Sequence, residues 1–101
     1  MSKYHAVKTI CDGIVFDSKR EARRWSELKL LQKARLISDL ERQVKYDISV
    51  NDTFICSYRA DFTYTVGKAF VCEDSKGAKT RAYILKRKLM KAVHGITIRE
   101  T

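Results

Sequence analysis

The stretch Arg59-Ala-Asp-Phe-Thr-Tyr-Thr-Val-Gly-Lys-Ala-Phe-Val-Cys-Glu-Asp-Ser-Lys76 constrains the fold more than any other part of the chain. Its side chains alternate about Gly67-Lys68, a Gly-X pair suited to a two-residue hairpin turn. With those two residues as the loop, Val66 pairs with Ala69, and counting outward sets Asp61 opposite Asp74. The same count makes this a non-hydrogen-bonded pair, in which Cβ atoms approach to roughly 4.5–5.5 Å. Carboxylates that close destabilise a sheet unless something positive sits between them. A divalent metal ion is the obvious candidate. Lys76 lies two residues beyond Asp74 and so shares its sheet face. Two acids and a lysine then converge on one patch.

The 101 residues allow one domain, residues 1–101, with a single real core. Lysine and arginine total 21 against 12 acids, a net charge of +9 that favours a polyanionic partner, nucleic acid before an anionic membrane. Charge alone is as well explained by solubility. An acidic cluster kept inside so basic a chain points instead to a metal site that meets phosphate. Cys11, Cys56 and Cys72 are odd in number and lack C-x-x-C spacing, which argues against a disulfide framework and a zinc site. Each reads as a small hydrophobe in a strand. The polar start and the lack of a long apolar run predict a soluble, cytoplasmic protein.

Thr9 to Phe16 reads as a short hairpin turning at Asp12-Gly13. Ser18 is placed to N-cap a helix running to about Ala34, with Glu21 at the capping-box position. Ala22, Trp25, Leu28, Leu31 and, beyond it, Leu36 form its expected buried stripe. Val44 to Val50 reads as a strand with Val44, Tyr46, Ile48 and Val50 on one face. Asn51-Asp52 turns into the central hairpin, Gly77 and Lys79-Thr80 form a linker, and Ala82 to Val93 a second helix. Its expected buried residues are Ile84, Leu85, Leu89 and Val93, and Gly95 suits its C-cap. Ile96 to Arg99 is a last short strand. The order is α-β-β-β-α-β: an α/β (α+β) fold, a mixed central sheet flanked by helices, with a short N-terminal hairpin.

Mg²⁺ prefers one or two carboxylates plus waters and substrate phosphate. Asp61 and Asp74 are suited to hold it, and the Ser75 backbone carbonyl is a third donor. Lys76 would orient or deprotonate the attacking water, or stabilise the phosphoryl transition state. Glu73 projects to the opposite face, unless a β-bulge near residues 66–69 or 73–75 reverses the assignment. Asp74 ranks first because it shares a face with Lys76. Glu21 has two compatible roles, capping the Ser18 amide or serving as a third acid of the metal site. His5 and His94 are isolated and read as surface residues.

Asp61, Asp74-Ser75-Lys76 and Glu21 on the first helix resemble the PD-(D/E)XK nuclease superfamily, whose core has the same element order. Phe16-Asp-Ser-Lys-Arg-Glu-Ala, Tyr58-Arg-Ala-Asp-Phe and Glu73-Asp-Ser-Lys-Gly also resemble small phage and prophage proteins placed there. Holliday junction resolvases, phage endonuclease I and the nuclease subunit of a transposase are similar by pattern. Ala60 stands where the name-giving motif has proline. The resemblance implies catalytic Glu21, Asp61, Asp74 and Lys76, with Mg²⁺ as cofactor and Mn²⁺ as a substitute. It also implies a homodimer acting on DNA, with branched DNA as substrate, in an infected bacterial cell. Residues of the second helix approach the cleaved phosphate in that superfamily, which makes Lys79 and Tyr83 DNA-side candidates. Lys86 shares their helical spacing. Lys19, Arg20, Arg23 and Arg24 offer a second phosphate track.

The leading reading is thus a Mg²⁺-dependent DNA endonuclease. The alternative is a non-catalytic nucleic-acid-binding module on a nuclease-like fold. An RNA-binding protein is a third, with few exposed-looking aromatics for base stacking.

Overall fold

The computed structural model describes residues 8–75 and 79–101. Strands β1 (Thr9–Cys11) and β2 (Ile14–Phe16) form a hairpin through Asp12 and Gly13, both at positive φ as a type I′ turn requires. Helix α1 (Lys19–Lys33) begins at Ser18, whose hydroxyl accepts the Glu21 amide at 3.1 Å. A four-stranded sheet follows in the order β3 (Ser38–Val50), β4 (Thr53–Val66), β5 (Ala69–Asp74), β6 (Ile98–Glu100). The first three strands are antiparallel, joined by turns at Asn51-Asp52 and Gly67-Lys68. β6 runs parallel to β5. A parallel neighbour needs a crossover, here supplied by α2 (Arg81–Leu89) and a π-helical turn over Met90–His94. The chain is therefore an α-β-β-β-α-β fold, a mixed sheet flanked by helices with an N-terminal hairpin, the restriction-endonuclease-like arrangement.

Each helix buries its stripe on a different face of the sheet. Phe16, Ala22, Trp25, Leu28, Ile37, Phe62 and Tyr64 pack under α1, with Trp25 stacked on Phe62 at 6.0 Å between ring centroids. Ile48, Tyr58, Ala60, Cys72, Tyr83, Met90 and Ile98 pack under α2. Side chains of this size stabilise by roughly 1.5–3 kcal/mol each on burial.

Several expected burials differ. Leu36 is exposed and Ile37 buried, because Arg35 leaves the helix at φ +64° and turns the chain over. Strand β3 starts at Ser38, earlier than Val44, and Val50 reaches solvent past a register shift at Ile48/Ser49. The buried residues are Tyr83 on α2 and Met90 in the π turn, while Leu85 is 58% exposed and Val93 also points outward. Leu85 lies about 200° around the helix from Tyr83, and the wider π turn shifts Val93 off the buried stripe. Gly95 ends that turn at φ +69°, in the left-handed conformation expected of it.

One irregularity positions the site. Ala60 and Phe62 are two residues apart on β4, yet they belong to opposite cores. A regular strand would put both on one face. Opposite, the ladder pairs Arg42 with Phe62 and Val44 with Ala60, skipping Gln43, which sits at φ +54°. Arg42 covers the Phe16 ring on the α1 side, and Tyr46 packs on the α2 side. Both strands therefore exchange faces at one seam, Gln43 beside Asp61, without a register shift there.

Candidate active site

The β4–β5 ladder runs Val66↔Ala69 through Phe62↔Glu73, so the next residues outward are Asp61 and Asp74. Their carboxyls face each other closely enough for Asp74 to act on Asp61. The counted register holds from Val66↔Ala69 to Phe62↔Glu73, with no irregularity in that ladder. Asp74 is fully buried and accepts the Tyr58 hydroxyl at 2.5 Å. Asp61 accepts the Ser75 amide at 2.9 Å. Burial, then the hydrogen bond and charge of Asp74, push the Asp61 carboxyl up to about 8, against the opposing pull of the Ser75 N–H. Burial and then Asp74 also raise the Tyr58 hydroxyl far above its ordinary range, so it stays a donor. Cys72, one residue before Glu73, is raised to about 11 chiefly by burial and is no nucleophile at neutral pH.

Glu73 is turned away from the pair, as expected, and meets α1. Its carboxylate takes both Arg24 Nε at 2.5 Å and a terminal Arg24 nitrogen at 2.9 Å, with the Tyr64 hydroxyl at 2.5 Å. Those bonds hold Arg24 firmly charged. A buried carboxylate so fully partnered is a structural ion pair.

Glu21 makes only half of the capping box. Its amide is capped, but its carboxylate accepts from Gln43 Nε2 at 3.2 Å rather than from the Ser18 amide. It is buried, and burial, then Asp17, raise its carboxyl while Arg42 and Gln43 pull the other way; Asp74 also raises it. The seam thus brings Glu21 of α1 within electrostatic reach of the acid pair. Among the described residues, however, no group of three His, Cys, Asp or Glu side chains is arranged to hold a metal ion. Lys76 and Gly77 lie outside the described residues, as does His5.

The donor set at Asp61 and Asp74 is all oxygen, and the raised proton affinity of Asp61 is what a bound cation would relieve. Two carboxylates with solvent completing the shell fit Mg²⁺. Ser75 follows Asp74 directly, and its hydroxyl lies 3.2 Å from that of Thr101.

The basic candidates divide. Lys19, Arg20 and Arg23 are exposed along the start of α1, and an Arg20 terminal nitrogen donates to the Thr101 carbonyl at 2.8 Å. Lys79 pairs with Glu100 at 3.1 Å, and Lys86 is half-buried. Tyr83 is only 7% exposed and donates to Glu100 at 2.8 Å, which takes it off the open face that helical spacing assigned to it. Glu100 also pairs with Arg87 at 3.0 Å, and these partners hold its carboxyl below its ordinary value. His94 is exposed, its Nε2 lying 2.9 Å from the Asp47 carbonyl. Two cavities flank the acids. One of about 290 Å³ is lined by Arg20, Arg23, Arg24, Glu27, Arg99, Ser75 and Thr101. The other, about 240 Å³, lies between Tyr58, Arg59 and the start of α2. A larger cavity near Asp12 and Lys29 touches none of the acids.

Sequence reasoning missed Tyr58 and Gln43. A buried tyrosine must find a partner for its hydroxyl, and that signal was available for Tyr58. A left-handed glutamine carries no signal in its residue type.

A family model described as "Protein of unknown function (DUF1064)" matches residues 1–96. The chain belongs to this family. Comparison with curated proteins and with solved structures finds no match. The family's description assigns no chemistry, so the chemistry rests on the acid pair and the basic surface around it. Among the described residues, no helix is long and apolar enough to cross a membrane.

Proposed function

We propose that this chain is a nucleic-acid-binding domain on a nuclease-like scaffold, and that it hydrolyses DNA phosphodiester bonds with Mg²⁺ held by Asp61 and Asp74. The observation that carries this reading is the facing acid pair, Asp74 fully buried and Asp61 half-buried, kept at a strand seam within a chain of net charge +9. Such a pair costs stability, and a polyanion-binding surface gives it a use. Mg²⁺, or Mn²⁺ in its place, would supply charge neutralisation at the phosphoryl oxygens and a more acidic water.

The chain's own residues do the rest. Tyr58 holds one oxygen of Asp74, and the Ser75 amide holds one oxygen of Asp61, so both carboxylates are fixed before substrate arrives. Lys76 orients or deprotonates the attacking water, and the Ser75 carbonyl is a further donor to the metal. Glu21, oriented by Gln43, is the third acid. Lys19, Arg20 and Arg23 position the phosphate backbone, with Lys79 and Lys86 on the α2 side. Action on branched DNA, as a homodimer in an infected bacterial cytoplasm, follows from the resemblance to junction-cutting nucleases of phages.

A second reading, binding without cleavage, is favoured by one observation: the described residues hold no three-acid metal cluster, and Glu21 is turned to Gln43. A panel of duplex, flap, fork and four-way-junction DNA decides between them, assayed with Mg²⁺, Mn²⁺ or EDTA. Cleavage that needs metal and is lost in Asp74→Asn, with DNA affinity retained, is the expected result. Tight binding with no cleavage of any substrate would establish the binding module.

A further inference from the structure

We propose that the arginine-lined cavity beside Ser75 is a phosphate subsite, built from α1 and β6 and completed by Arg99. This deepens the nucleic-acid reading above and rests on it. Arg20, Arg23 and Arg24 reach the cavity from the first turns of α1, and Arg99 reaches it from β6. The register pairs Arg99 with Glu73, so both sit on the α1 side of the sheet, away from the face carrying Asp74.

The cavity's walls are fixed by contacts that use two of its four arginines. Glu73 clamps Arg24 through both carboxylate oxygens, and Arg20 donates to the Thr101 carbonyl. Glu27 lies 3.7 Å from Arg24 and adds one further negative charge. Arg23 and Arg99 are exposed and have no ion-pair or hydrogen-bond partner among the described residues. Two cations without such a partner, in a cavity that Ser75 and Thr101 also line, match the oxygens of a phosphate. A volume of about 290 Å³ admits a phosphate with part of its sugar, and is small for a drug-sized ligand.

Ser75 ties this subsite to the acid pair, because its amide binds Asp61 while its side chain lines the cavity. A strand anchored here therefore lies at the Ser75 edge of the sheet, next to the residue that fixes Asp61. The anchored group is either an internal diester or a terminal monoester; both present at least two non-bridging anionic oxygens.

The test is binding in EDTA, so that cleavage plays no part, using fluorescein-labelled single-stranded oligonucleotides with a 5′-phosphate or a 5′-hydroxyl. Wild type, Arg23→Ala/Arg99→Ala and the control Lys91→Ala are compared across a salt series. The double variant's log–log salt slope is expected to drop by about 1.4, two single-strand phosphate contacts, with Lys91→Ala closer to wild type. A 5′-phosphate preference lost in the double variant would identify the terminal monoester. Equal loss with both probes would identify the internal diester. An unchanged slope in the double variant, with wild type binding DNA well, overturns the subsite and leaves the proposed function standing. Wild type binding no DNA defeats that function instead. Inorganic pyrophosphate then judges the cavity alone, through shifts of the Arg23 and Arg99 Nε–H signals; unmoved signals overturn it. Unchanged circular dichroism of the double variant separates lost contacts from lost folding.

Discussion

Asp61 keeps its proton to about pH 8 against an ordinary value of 3.8, because burial and Asp74 both oppose its ionisation. The folded chain therefore binds more protons than the unfolded chain between those values, and its stability falls as pH rises through that window. Without metal, the melting temperature should decline from pH 5 to pH 8. Asp61→Asn, which keeps the shape and needs no proton, should flatten that decline and melt higher at pH 8. Calorimetry in EDTA reads this directly; an Asp61→Asn variant with the wild-type slope would remove the acid pair as its source. Mg²⁺ added to the wild type at pH 8 should restore stability by about 2.7 kcal/mol at a hundred times its dissociation constant. Glu73 differs from its neighbour in kind. Glu73→Ala leaves Arg24 half-buried without its partner, and should destabilise by about 3–5 kcal/mol in urea titration. Glu73→Gln, if folded, should bind Mg²⁺ as the wild type does; a lost affinity there would move the ligand role to Glu73.

At the scale of elements, the seam through Gln43 and Asp61 explains both what the sequence discloses and what it hides. The register of the β4–β5 hairpin was legible because Gly67, at φ +60°, marks its turn and the ladder runs unbroken to Glu73. The helix start was legible because Ser18 can cap only one way. The change of face was not, since period-two counting assumes it away and glutamine rarely marks a left-handed position. For the same reason Leu36 and Leu85 looked buried by spacing, when a left-handed Arg35 and the true angle of the α2 stripe turn them out. Glu21 needed the tertiary fold, because only the seam brings Gln43 to it. The φ of +54° at Gln43 predicts an ordering of variants. Gln43→Val should cost roughly 1–3 kcal/mol, as β-branched residues resist this conformation. Gln43→Gly should cost less, although it deletes the same hydrogen bond to Glu21. Urea midpoints test this, and equal losses would assign the whole effect to that bond.

For the molecule as a whole, charge and the acid pair make separate demands. Basic residues occupy the start of α1 and the flank of β6 on one face, with Arg59 and Lys86 near α2 on the other. DNA affinity should fall with salt by roughly 0.9 log units per log unit for each phosphate contact. Asp74→Asn should leave that slope unchanged, because it alters no cation. A filter-binding series on both proteins measures it, and a slope near zero in the wild type would remove phosphate recognition from the account.

The exchange of faces also acts as a reading frame for the fold. Upstream of Asp61, even-numbered residues of β4 face α2, and downstream they face α1. Deleting one residue between Tyr58 and Phe62 would put one arm out of phase, presenting polar side chains to a core and aromatic ones to water. Deleting one residue outside the seam, at the Asn51-Asp52 turn, leaves the phase of each arm relative to Asp61 intact. Tolerance to length change along β4 should therefore depend on whether the change falls inside the stretch around one aspartate or at the strand's end.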